Sequence, residues 1–184
     1  MSALTLQLQR RRERLGVKGP RAGEWLQLHG VVVPAAANSW THTADISAND
    51  ALLVARLGNS EFLLEEGTAG TMLKRITTSL GSQPPGVYPV LREDWAFQLE
   101  GAGVHDVLTQ VCNVNFAALT LDAQPLVMTL MIGVSVLVIP LRPARDAGER
   151  AYRIWCDPTF GPYLGESLGA VVLECGGGYT GDAK

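Results

Sequence analysis

Apolar and polar positions along this chain follow two periods, and each change of period marks an element. Trp95, Phe97 and Leu99 alternate strictly with other residues, the signature of a half-buried strand. Leu52–Leu57 and Phe62–Glu65 are short apolar runs on either side of Gly58-Asn59-Ser60, which predicts a hairpin. Ala69, Met72, Leu73, Ile76 and Leu80 recur at helical spacing and are followed by Gly81, a residue suited to ending a helix. Pro84-Pro85-Gly86 breaks the chain; Val87–Leu91 then reads as a strand, and Val104, Val107, Leu108 and Val111 as one face of a second helix. The apolar stretch from Leu126 to Leu141 exceeds the usual strand length and predicts two strands meeting at Gly133. Tyr152–Cys156 is another strand. Asp157-Pro158 then opens a third helix with Phe160, Leu164, Leu168 and Val171 along one side, and Val171–Glu174 reads as a last strand.

Residues 1–50 carry the weakest periodicity and predict an extended basic arm and loop that orders on a partner. Residues 51–175 form the expected domain and residues 176–184 a flexible tail. Strands and helices mixed through hairpins rather than regular strand–helix–strand units indicate an α+β fold: a mixed sheet, three helices and an extended N-terminal arm.

Charge sharpens this picture. The chain is 47% hydrophobic and only 18% charged, with a formal net charge of −3. That composition supports a core of normal size and excludes intrinsic disorder of the body. It also fits a chain with one face covered by another protein. Within residues 1–21, Arg10, Arg11, Arg12, Arg14, Lys18 and Arg21 oppose the single acid Glu13. The cluster Arg10, Arg11, Arg12 and Arg14 has no interleaved aromatics, so it reads as a solvated arm or a dock for an acidic neighbour rather than a nucleic-acid site. Three cysteines without a paired spacing suggest neither a disulfide framework nor a zinc site and fit a reducing cytoplasm. The most apolar stretch, Leu126–Ile139, is too short to span a bilayer, so a soluble protein is expected.

Candidate chemistry is sparse. Gly165-Glu166-Ser167-Leu168-Gly169 matches the nucleophile-elbow pattern in letters, but Ser167 falls inside a helical pattern and the last histidine, His105, lies upstream of it. His29, His42 and His105 form no metal-ligand spacing. No P-loop motif occurs, and Gly176-Gly177-Gly178 lacks the strand-to-helix context of a dinucleotide fingerprint. Gly161, Gly165 and Gly169, four residues apart, read either as helix punctuation or as a face without side chains that admits a strand or a partner chain. Trp155 falls on the opposite side of its strand from Tyr152 and Ile154. With Tyr163 and Gly165 it joins the arginines as a candidate partner interface. No catalytic, cofactor-binding or metal residue is expected.

Taken in order, the blocks "LLVARLGNSEFLLEEG", "VYPVLREDWAFQLEGAGVHDVLTQVCNVNF", "LVMTLMIGVSVLVIPL" and "YRIWCDPTFGPYLGESL" resemble the gamma subunit of heterotetrameric sarcosine oxidase, within the T-protein family of folate-binding domains. The resemblance covers about two-thirds of the chain and lies in the order and spacing of the blocks. Gly165 stands where the family often carries a Trp, and residues 1–50 have no counterpart. N-methylglutamate dehydrogenase is a sister system with a similar small subunit. The resemblance implies a non-catalytic subunit whose larger flavoprotein partners hold FAD, FMN, NAD and tetrahydrofolate and oxidatively demethylate a secondary N-methyl amine. Two other readings stay open: a stand-alone folate-dependent aminomethyltransferase-like protein, which would need an acidic residue aimed at the pterin and for which Asp94 is the nearest candidate, and a scaffold or binding protein without an enzyme partner.

Overall fold

In the computed structural model, described over residues 3–10, 12–43, 51–141 and 150–180, two antiparallel-rich sheets each carry helices on one face. The chain divides into two units, Arg11–Glu93 and a second made of Met1–Arg10 with Asp94–Lys184. The division therefore falls at residues 10/11 and 93/94 rather than at residue 50.

The Arg11–Glu93 unit contains strands β2 (Arg12–Lys18), β3 (Ser39–Thr43), β4 (Leu52–Arg56), β5 (Glu61–Gly67) and β6 (Tyr88–Val90), with helices α1 (Ala22–Leu28) and α2 (Met72–Leu80). Its sheet runs in the order β3-β4-β5-β2-β6. The expected hairpin across Gly58-Asn59-Ser60 is β4–β5, and the expected helix is α2. Val17, Val54, Phe62 and Leu64 meet Leu26 of α1 and Ile76 of α2 in one core. In β5 successive residues face opposite sides, so Phe62, Leu64 and Glu66 share the helix side while Leu63 and Glu65 turn away from it. Glu66 is buried yet satisfied: its carboxylate accepts from the backbone N–H groups of Met72 (3.2 Å) and Leu73 (2.8 Å), two orphan donors of the first turn of α2.

The other unit holds β1 (Thr5–Leu8), β7 (Trp95–Glu100), β8 (Val127–Met131), β9 (Val134–Leu141), β10 (Ala151–Cys156) and β11 (Gly178–Thr180), with α3 (Val104–Val111) and α4 (Gly161–Glu174). The strand order is β11-β1-β7-β10-β9-β8, with β1 and β11 parallel and the remaining pairs antiparallel. Phe97, Leu99, Tyr152 and Ile154 form the core with Val107 of α3 and Leu168 of α4. β8 and β9 meet at Ile132-Gly133, as the sequence predicts. Both residues have positive φ (50° and 80°), as the tight turn that matches strand twist requires.

Several expectations are corrected. The described residues among 1–50 are not an arm without regular structure: they supply β1, β2, α1 and β3, while residues 44–50 lie outside the described residues. β1 lies between β7 and β11, held by the register Leu6↔Leu99 and Leu6↔Tyr179. The described residues form four α-helices rather than three, since α1 forms after Gly19-Pro20-Arg21, where glycine and proline suggest only a loop. Val171–Glu174 continues α4 instead of forming a strand, because Val172 extends the buried face of that helix. The expected tail contributes β11, and residues 181–184 lie outside the described residues. Phe160, expected in the core, is about half exposed. The α+β class itself stands, with two sheets in place of one.

Candidate functional site

Three groups of side chains carry the polar and aromatic chemistry of the chain. The first lies on the side of the β2–β5 sheet away from α1 and α2. Register pairs Arg14 with Glu65, and the Arg14 Nε donates to Glu65 Oε2 at 2.8 Å. Arg12 approaches the other carboxylate oxygen at 3.7 Å. The Glu65 side chain is fully buried and that of Arg14 is nearly so. A buried carboxylate survives only when paired in this way. Two of the predicted interface arginines are thus held by an acid of their own chain, 51 residues away in sequence for Arg14. Arg11 lies outside the described residues. Arg10, on the surface, places its guanidinium 5.4 Å from the centre of the Trp95 ring, a cation–π distance.

The second group is the glycine face of α4. A Cβ at Gly161 would run into the Trp95 ring, one at Gly165 would lie 2.8 Å from Tyr179 Oη and 3.0 Å from Phe97 Cε1, and one at Gly169 would lie 2.6 Å from Tyr179 Cδ1. All three glycines are buried. The four-residue spacing therefore seats a row of aromatic rings from β7 and β11 against bare helix backbone. Gly165 is enclosed by its own unit. Trp155 keeps its predicted side of β10, opposite Tyr152 and Ile154, and is 1% exposed. Of the predicted interface residues, Tyr163 stands on the surface with Arg10: it is 52% exposed, and its hydroxyl lies 3.5 Å from the Ile132 carbonyl oxygen at the β8–β9 turn.

The third group surrounds β10. The Tyr152 hydroxyl, buried in the core, donates to the Phe116 carbonyl (3.3 Å) and lies 2.9 Å from His105 Nε2 on α3. Burial, reinforced by the positive charge of Arg150, holds the His105 imidazole below its ordinary pKa, while burial holds the Tyr152 phenol above its own. At the far end of β10, burial and the carboxylates of Asp94 and Asp157 push the Cys156 thiol up to about 12, so it stays protonated and unreactive at neutral pH. Asp157 accepts from the Thr159 N–H (2.8 Å), and hydrogen bonding to Thr159 holds its carboxyl below the usual range.

His105 yields a pH-dependent expectation. In the unfolded chain the imidazole protonates near its ordinary pKa, and in the folded chain only at lower pH. Folded protein therefore loses stability as pH falls through the ordinary histidine range, until the lower folded pKa is passed. His105→Gln, which keeps a hydrogen-bonding group toward Tyr152, is expected to flatten the decline in denaturation midpoint between about pH 7.5 and about pH 5.5. An unchanged slope would show that another group carries it.

The other sequence candidates are placed as follows. Ser167 lies within α4 rather than on a strand-to-helix elbow. His29 stacks on Trp25, with ring centroids 4.1 Å apart, and His42 meets Trp40 edge to face at 5.2 Å. Among the described residues no group of three or more His, Cys, Asp or Glu side chains is placed to hold a metal ion, and no helix is long and apolar enough to cross a membrane. Sequence reasoning missed the ladder Arg153–Gln98–Glu100 on the helix-free side of the six-stranded sheet. There Arg153 Nη2 donates to Gln98 Oε1 (2.8 Å) and Gln98 Nε2 donates to Glu100 Oε2 (2.7 Å). The available signal was alternation, since Arg153 stands between the core residues Tyr152 and Ile154.

No family model matches the sequence, and no curated protein matches it. Solved structures do match in fold. Glycine cleavage system aminomethyltransferase T from Bartonella henselae superposes with a TM-score of 0.71 at 15% identity, over 98% of this chain and 48% of that one. The chain thus spans about half the length of the aminomethyltransferase. A chain of heterotetrameric sarcosine oxidase from Corynebacterium sp. U-96, in complex with pyrrole 2-carboxylate, superposes with a TM-score of 0.68 at 23% identity, over 97% of this chain and 88% of that one. The architecture built from these strands and helices is the T-protein-like α+β fold.

Proposed function

We propose that this chain is a non-catalytic structural subunit of a multi-subunit, flavin-dependent amine-oxidising complex of the sarcosine oxidase kind, one that demethylates a secondary N-methyl amine. One observation carries the reading. The similarity to a sarcosine oxidase chain runs through nearly the whole length of both polypeptides, whereas only about half of the aminomethyltransferase has a counterpart here. A chain matching a whole subunit of a heterotetramer is read as a subunit, and a chain matching half an enzyme is not read as that enzyme.

The electrostatics support assigning FAD, FMN, NAD and tetrahydrofolate to larger partner subunits. All four are anionic and need cations or helix N-termini to hold them. Here Arg12 and Arg14 lie against Glu65, the first turn of α2 is capped by Glu66, and Asp94 stands with Asp157 beside a protonated thiol. The chain's part is then to present a rigid surface to those subunits.

The test is purification of the tagged chain from its source and, separately, alone after recombinant expression. The expected results are flavin-containing larger polypeptides in constant ratio with the tagged chain, and a colourless chain without amine oxidase activity when alone. Flavin absorbance or N-methyl amine oxidation by the isolated chain, or its recovery from the source without a flavoprotein, would refute the proposal.

A further inference from the structure

Among the described residues, strand β8 is an open edge of the six-stranded sheet, paired on one side only, with β9. The tight turn at Ile132-Gly133 fixes which of its backbone groups are used. Met131↔Val134 closes the hairpin, so Met131, Thr129 and Val127 sit in hydrogen-bonded pairs with β9. The N–H and C=O groups of Met128 and Leu130 must then point away from β9, toward the open side. The same two residues also expose their side chains, at 57% and 60%. Two of the usual ways of blunting such an edge are absent from β8: no charged residue lies between Asp122 and Arg142, and the strand contains no proline. The edge strand β6 of the other sheet, by contrast, is three residues long and carries Pro89 at its centre.

We infer that β8 pairs antiparallel with β8 of a second copy of this chain, about a two-fold axis at Thr129. The backbone groups call for an extended strand, and the pattern is complementary to itself. With Thr129 opposite Thr129 of the copy, Met128 of each chain faces Leu130 of the other, and both outward-pointing residues of each strand find reciprocal hydrogen-bonded partners. Each Met128 side chain then packs on Leu130 across the ladder, on one face of a continuous sheet. Self-pairing about an axis brings like groups together, which an uncharged strand tolerates and a charged one does not. This inference is independent of the flavoprotein assignment and concerns the chain on its own.

Sedimentation equilibrium of the purified chain over a concentration series tests it. A monomer–dimer equilibrium is expected. Leu130→Lys, at an exposed position, should leave the secondary structure seen by circular dichroism unchanged and raise the dissociation constant by about tenfold or more. Combining Met128→Glu with Leu130→Lys in one chain sets opposite charges across both pairs of the proposed register and should restore the dimer, in a salt-sensitive form. A chain that stays monomeric throughout, a dimer indifferent to Leu130→Lys, or a double variant no better than the single one would each overturn the proposal. So would association of β8 with a different protein while copies of this chain stay apart.

Discussion

Glu65→Gln is expected to destabilise the protein by about 3–5 kcal/mol, because it leaves the nearly buried Arg14 guanidinium facing a neutral amide. For a chain of this size that corresponds to a fall in melting temperature of about 10 °C or more. The size of the effect comes from desolvation more than from attraction between the charges. The double substitution Arg14→Met with Glu65→Leu should therefore recover part of the loss, since it removes the two buried charges together and leaves only the partly exposed Arg12 without this carboxylate. Thermal melts of Glu65→Gln and of the double variant decide the matter. If the double variant is as unstable as Glu65→Gln alone, the geometry of this pair is not what holds β2 against β5.

Gly161→Ala is expected to cost about 1–3 kcal/mol, since the new methyl group meets the body of the Trp95 ring rather than the end of a flexible side chain. Gly165→Ala should also destabilise, although in an open helix alanine would stabilise by up to about 1 kcal/mol. The sign reverses because the methyl would press on Phe97, a fully buried ring. Gly165→Leu should cost more still. Gly58 supplies the control: no atom lies within 4 Å of a Cβ built there, so Gly58→Ala should leave the melting temperature almost unchanged. These losses should appear in the isolated chain. If Gly165→Leu is silent there, α4 does not lie against β7 and β11.

The elements that the sequence disclosed are those whose signal is local. α2, α3, β7, β10 and the turn at Gly133 each announce themselves within a few residues. β1 was also announced, since Leu4, Leu6 and Leu8 alternate with polar residues, but the arginine run after it drew the whole segment into an arm. β2 offered less, because of its core-facing positions only Leu15 and Val17 are apolar and Glu13 is not, while Arg12 and Arg14 lie on the other side. Their counter-charge, Glu65, is far away in sequence. Pairing across such a distance leaves no periodic trace. The glycine face of α4 was visible as spacing, and only the neighbouring rings show that it faces inward. Trp155 was placed on the correct side of its strand, but alternation distinguishes two sides and not which of them is covered.

The position of β1 sets an order of events during synthesis. Residues 11–93 are continuous, so every strand of their sheet exists once residue 93 has emerged from the ribosome. The other sheet is discontinuous: Thr5–Leu8 are made first, yet their partners are Phe97–Glu100 and Gly178–Thr180. At ordinary translation rates the strand waits on the order of 5–20 s for β7 alone. Throughout that interval Leu4, Leu6 and Leu8 remain without the apolar surface that later encloses them. A segment in that condition is a natural client for a nascent-chain chaperone. The completed sheet, built on contacts between the first and last strands, should be the slow step of refolding in vitro.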